Sequence, residues 1–162
     1  MEGVSGEIEG NYRAVQLPGD TNQLLVGTVK QGDHVDVLAN IKFRPGNFRV
    51  KGNIPEVQAE ADLVATRIVL RNLLVLRDPA RPSGSGGIGS GGGYQTLLAV
   101  TDSQAQKLFF VMKNGEWILQ LRPAHGATDS PEGVETTGSV LVDGLRLPQF
   151  QQLLLGPNEP AR

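Results

Sequence analysis

The chain contains no cysteine among its 162 residues. Disulfides, thiolate nucleophiles and cysteine-ligated metals are therefore excluded. Aromatic side chains are scarce at 5%, so any core must be built mostly from Val, Leu and Ile. Neither sign of charge prevails: 15 Lys and Arg stand against 17 Asp and Glu, for a net charge of −2. The cations are scattered. Scattered cations argue against a nucleic-acid surface, which clusters them against phosphates, and against polybasic attachment to acidic lipids. No apolar run approaches the roughly 20 residues needed to span a bilayer. The opening MEGVSGEIEG has neither the basic nor the apolar region of a signal peptide. The chain therefore reads as cytosolic, or as a soluble piece of something anchored.

What is present fits a single β-rich domain. Hydrophobic residues make up 39% of the chain, and 21 Gly and 10 Pro supply turns. Residues 1–11 are Gly- and Glu-rich and read as a flexible tail. Tyr12 to Leu17 alternates weakly and stops at Pro18, a strand pattern. PGDTNQ is a turn. Gln31-Gly32-Asp33 launches a clearer strand, Asp33 to Phe43, with Val35, Val37, Ala39 and Ile41 on one face. Lys51 to Glu60 is polar and irregular. Leu63 to Leu76 is the longest apolar stretch. Its Val, Ile and Thr content favours one long strand or two short ones broken near Arg71-Asn72. Ser83 to Gly93, SGSGGIGSGGG, has no apolar area to offset its chain entropy, so it reads as a disordered loop.

The segment Tyr94 to Pro123 is the most informative. Tyr94 to Val100 is a strand. Thr101 and Gln104 form a capping-box pair. Ala105, Leu108, Phe109 and Met112 then recur at helical spacing, predicting one packed face. Asn114-Gly115 predicts a left-handed cap, and Glu116 to Arg122 a further strand. Residues 124–138 are polar. Ser139 to Leu147 reads as a last short strand, and 148–162 as a tail with a short helix. The expected core is Val35, Val37, Ile68, Leu70, Leu97, Ala99, Leu108, Phe109, Trp117, Leu119 and Leu121.

Constellations that would carry catalysis are missing. His34 and Asp36 share a strand face, but no third metal ligand is in register, so they read as a solvated face. His125 sits in a loop beside Asp129 and Glu132. No Ser occupies a nucleophile elbow. No catalytic residue, metal site or cofactor is expected. Two non-enzymatic features stand out. Leu147, Phe150, Leu153 and Leu154 form an apolar stripe if the tail is helical, so Phe150, Leu153 and Leu154 are candidate partner-binding residues. Trp117 and Tyr94 are the rings available for glycan stacking, although Trp117 reads first as core.

Several stretches, in order, resemble the Flp/Tad pilus assembly protein family called CpaB or RcpC. They are YRAVQLP (Tyr12 to Pro18), VGTVKQGDHVDVLANI with its apolar pair, Gly-Asp turn and VDV, TRIVLRNLLVLRD (Thr66 to Asp78), and TLLAVTDSQAQKLFFVMKNGEWILQLRP. The match covers residues 12–123, with gaps at 51–60 and at the Gly tract. It resembles the C-terminal, RcpC-type domain with a remnant of the SAF domain. Gln31 stands where the family often has Pro.

The resemblance implies a mainly β, β-clip or SAF-like fold with one central helix, α+β by strict count, in a single domain over 12–147. It implies a non-enzymatic role in assembling or exporting Flp pili. It also implies a periplasmic or extracytoplasmic place in the cell envelope, with a membrane anchor that this chain lacks. Implied partners are other machine subunits such as the secretin, and peptidoglycan through the SAF-like part. The alternative is a β-clip-type module that binds cell-wall glycan.

Overall fold

The computed structural model describes residues 4–43, 63–82 and 93–143. Within them the chain is mainly β. Its strands are β1 (Tyr12–Gly19), β2 (His34–Phe43), β3 (Leu63–Ala80), β4 (Tyr94–Thr101), β5 (Gly115–Leu121) and a two-residue β6 (Glu135–Thr136). Helix α1 (Asp102–Asn114) joins β4 to β5, and a short α2 (Thr137–Val142) follows β6. All pairings are antiparallel, in the order β1-β4-β3-β2-β5, with β6 on β3.

One face of this sheet holds the core. Cross-strand partners point the same way, and the register aligns Leu17 with Thr96, Val75 with Leu98, Val35 with Leu73, and Val37 with Leu119. All eight are buried. Leu108 and Val111 of α1 join the same cluster, as do Leu24 and Val29 from the loop after β1. That loop folds inward because the Asp20 carboxylate accepts the backbone N–H groups of Asn22 and Gln23, both at 2.8 Å. An Asx-type turn of this kind reverses the chain locally.

The break expected at Arg71-Asn72 is a bulge, not a chain reversal. β3 runs on for 18 residues. Asn72 takes a left-handed φ of 58°, and the β2–β3 register shifts on either side of Val37. Bulges of this kind bend a long strand, here so that it serves β2 with one half and β4 with the other. The capping box on α1 is present as the sequence predicted. Thr101 Oγ1 accepts from Gln104 N, and Gln104 Oε1 accepts from Thr101 N at 2.8 Å.

Other expectations are corrected. Phe109 is 59% exposed and Leu121 41% exposed, and Ile68 and Leu97 are only half-buried. In β4 the inward set is Thr96, Leu98 and Val100, one residue out of step with Leu97 and Ala99, although Ala99 is also buried from the opposite face. Gly115 is extended, at φ −146°, and forms no left-handed cap. It is Gly because a Cβ there would lie 2.7 Å from the Asn40 carbonyl oxygen. The segment expected as a strand from Ser139 is helical at its start, because Thr136 and Ser139 form a second capping box. Residues 4–7, expected to fray, form a 3-10 turn held by a two-pronged Glu7–Arg77 ion pair at 2.6 and 2.7 Å.

Candidate functional site

The outer face of the sheet, opposite the core, carries the candidate features. Its centre is an ion-pair cluster. Asp36 lies between the inward Val35 and Val37 and so points outward, yet it is only 7% exposed. The solvated-face reading therefore fails for Asp36, while His34 beside it is exposed. Asp36 Oδ1 accepts the N–H of Asn72, the bulge residue, at 2.8 Å. Arg122 Nη1 donates to both Asp36 oxygens, at 2.9 and 3.1 Å. The carboxylate thus ties the β3 bulge to the end of β5, filling acceptor positions that a buried charge requires.

Arg122 continues outward to Asp129 at 2.8 Å, and Arg71 reaches Asp129 at 3.7 Å and Glu132 at 3.4 Å. Arg67 pairs with Glu132 at 2.9 Å. The hydrogen bonds from Arg122 to Asp36 first, and then to Asp129, raise its pKa further above the ordinary guanidinium range. Three guanidinium groups face three carboxylates, so the cluster is neutral and offers no net field to a charged ligand. Its effect is mechanical. Residues 123–134 are exposed apart from these ties, and the arginines clasp that strap to the sheet. His125, in the same strap, is exposed.

Beside the cluster runs an apolar row. Leu38 is aligned with Ile68 on one side and with Ile118 on the other. Leu38 and Ile68 are half-buried, and Ile118 is 44% exposed. Polar pairs border the row: Asn40 with Thr66 and Glu116, and Asp36 with Gln120. An apolar stripe with a polar rim is the usual composition of a protein-contact surface.

The row ends on an outer strand of the sheet. β1 and β5 are the two outer strands of the main sheet path. β1 carries Pro18, a residue that blunts an edge. β5 has no proline, and on the side away from β2 the Leu119 N–H donates to Gln23 O at 2.9 Å. Clefts of about 270 Å³ (Asn40, Lys42, Lys113, Glu116) and about 230 Å³ (Glu7, Tyr12, His34, Leu74) are small beside ligand pockets of roughly 300–1,000 Å³.

The residues singled out in the sequence fall elsewhere. Trp117 is 6% exposed and packs in the core, so its ring presents no face to a sugar. Tyr94 is half-buried with Arg81 5.4 Å from its ring centre. The two rings are therefore not a paired stacking platform. Phe150, Leu153 and Leu154 lie outside the described residues, as does the tract 83–92. The sequence reading missed Asp36, Arg71 and Arg122 as a unit. The available signal was a carboxylate between two inward valines in VDV, with an arginine directly after a strand.

The fold and surface define a mainly β module with a polar-rimmed apolar row that ends on an outer strand. Among the described residues no group of His, Asp and Glu is arranged to hold a metal, and no helix is long and apolar enough to cross a membrane. The chain belongs to the Flp pilus assembly protein RcpC/CpaB family, whose model matches residues 2–122. Neither a curated protein nor a solved structure matches it.

Proposed function

We propose that this chain is a non-enzymatic scaffold of the Flp pilus assembly machinery that binds neighbouring subunits through β5 and the Ile68–Leu38–Ile118 row. Family membership over residues 2–122 carries the pilus-assembly role and an envelope location. The finer reading is extracytoplasmic: a domain on the periplasmic side, held to the membrane by a segment outside this sequence. The secretin is the partner we favour, with peptidoglycan as a second contact. The mechanism is strand addition. An extended partner segment pairs with the outer edge of β5 for affinity, displacing the Gln23 carbonyl from the Leu119 N–H, and its alternate side chains meet Ile118 for specificity.

Glycan binding is the weaker reading, because Trp117 is enclosed in the core. The test is hydrogen exchange on the domain with and without the purified secretin subunit. New protection confined to residues 115–121 and their β2 neighbours is expected. Unchanged exchange across β5 at saturating secretin would refute the contact, and co-sedimentation with purified peptidoglycan would then decide for the glycan alternative.

A further inference from the structure

The outward face of α1 is another exposed apolar surface among the described residues, and the proposed β5 contact does not use it. Leu108 and Val111 point into the core, while Phe109 and Phe110 are 59% and 55% exposed. Two adjacent exposed rings form a contiguous apolar patch, the kind of surface that marks an interaction site when it grows large. Around them Gln106, Lys107 and Lys113 are exposed. The helix is also polarised, with Asp102 in its first turn and Lys113 in its last. Asp102 faces solvent beside Arg13, at 3.4 Å with 70% of its side chain exposed. The Lys113 ammonium lies 5.7 Å from the Phe109 ring centre.

This arrangement is self-complementary. Asp102 and Lys113 lie equally far from the point midway between Lys107 and Leu108, and so do Gln106 and Phe109. A second α1 laid antiparallel across a twofold axis at that point sets Asp102 against the other copy's Lys113, twice. The same axis brings all four phenylalanine rings within about 4 Å of it along the helix, at about 1.5 Å per residue. It also opposes the two helix dipoles. We propose that α1 is a twofold self-association face, and that its occupant is a second copy of this chain. Isologous twofold contacts are the commonest form of association. One helix face per copy falls below the roughly 1,200 Å² of a stable interface, so the dimer is weak and concentration-dependent.

The experiment is sedimentation of the full 162-residue chain from micromolar to millimolar concentration. The mass should climb from 17.3 kDa toward twice that value. It should stay monomeric in Phe109→Ser/Phe110→Ser, a surface change that leaves the Trp117 fluorescence of the fold in place. The charge pairing is tested separately. Asp102→Lys alone and Lys113→Asp alone each place like charges across the axis and should be monomeric. Mixed together they restore both opposite-charge pairs and should dimerise. Three outcomes would overturn the proposal: a constant 17.3 kDa at every concentration, a dimer that survives the double serine variant, or a mixture no heavier than its components. The first would leave the α1 face to a partner of other identity.

Discussion

Removing the Asp36 carboxylate tests whether the outer-face cluster holds the sheet together. Three hydrogen bonds converge on it: one from the Asn72 N–H at 2.8 Å and two from Arg122 at 2.9 and 3.1 Å. Asp36→Ala leaves the bulge N–H with no acceptor and leaves Arg122, whose side chain is 10% exposed, with Asp129 as its remaining carboxylate. Breaking a buried pair at one end costs about 3–5 kcal/mol, and the surviving Asp129 contact should hold this loss to the lower end. Asp36→Asn keeps an acceptor for Asn72 and loses the charge, so it should cost about 1.5–3 kcal/mol, the range for hydrogen bonds to charged groups. Replacing both ends, Asp36→Leu with Arg122→Met, should recover much of the loss, because no unpaired charge remains. The assay is built in. Trp117 is the single tryptophan of the chain and lies in the core, so urea unfolding followed by its fluorescence reads global stability. A loss below about 1 kcal/mol for Asp36→Ala, the range of surface pairs, would refute the reasoning, and so would a double variant no better than the single one.

Three further predictions follow from separate features. Gly115→Ala should cost about 1–3 kcal/mol in the same assay, because its methyl would sit 2.7 Å from Asn40 O, whereas Gly133→Ala, with nothing within 4 Å, should stay within about 0.5 kcal/mol. Glu7 should titrate below its ordinary 4.5 because Arg77 hydrogen-bonds its carboxylate. Its contribution is then present above that value and lost as pH falls through the lowered one. Following the Glu7 carboxyl by NMR, Arg77→Gln should return the titration to the ordinary value. Raising salt to about 1 M, where the Debye length is about 3 Å, should speed amide exchange across 128–136 more than across β4, because exposed ion pairs clasp that strap.

How much of this was legible in the sequence depended on whether one periodicity governed a segment. Val35, Val37 and Ala39 alternate cleanly and are the buried face of β2. The Thr101–Gln104 box is a local reciprocal pair, so no tertiary context was needed to see it. The weak point at Asn72 was visible because Asn tolerates a left-handed backbone. TLLAV in β4 has apolar residues on both faces, so no alternation fixes which side is inward. Phe109 fits helical spacing, but α1 buries a narrow stripe around Leu108 and Val111, and its neighbour ring escapes. The start of the strand expected over Ser139 to Leu147 is helical instead, because the Thr136–Ser139 cap nucleates a turn there.

Asp36 was illegible for a different reason. Its partners, Asn72 and Arg122, lie 36 and 86 residues away, and only the three-strand register brings them together. The apolar row Ile68–Leu38–Ile118 is hidden in the same way, as three residues on three strands. Pilus assembly itself came from the family resemblance and its match, since no single constellation encodes it.

The most direct test of the scaffold account is a count of surface fibres by electron microscopy in a host lacking the gene, complemented with wild type or with Ile118→Lys. Ile118 is 44% exposed, so lysine there leaves the core intact while placing a charge in the contact row. No fibres are expected in the deletion, full restoration with wild type, and none with Ile118→Lys at an equal level of folded protein. Normal fibres in the deletion strain would contradict the assembly role, and normal fibres with Ile118→Lys would contradict the β5 contact.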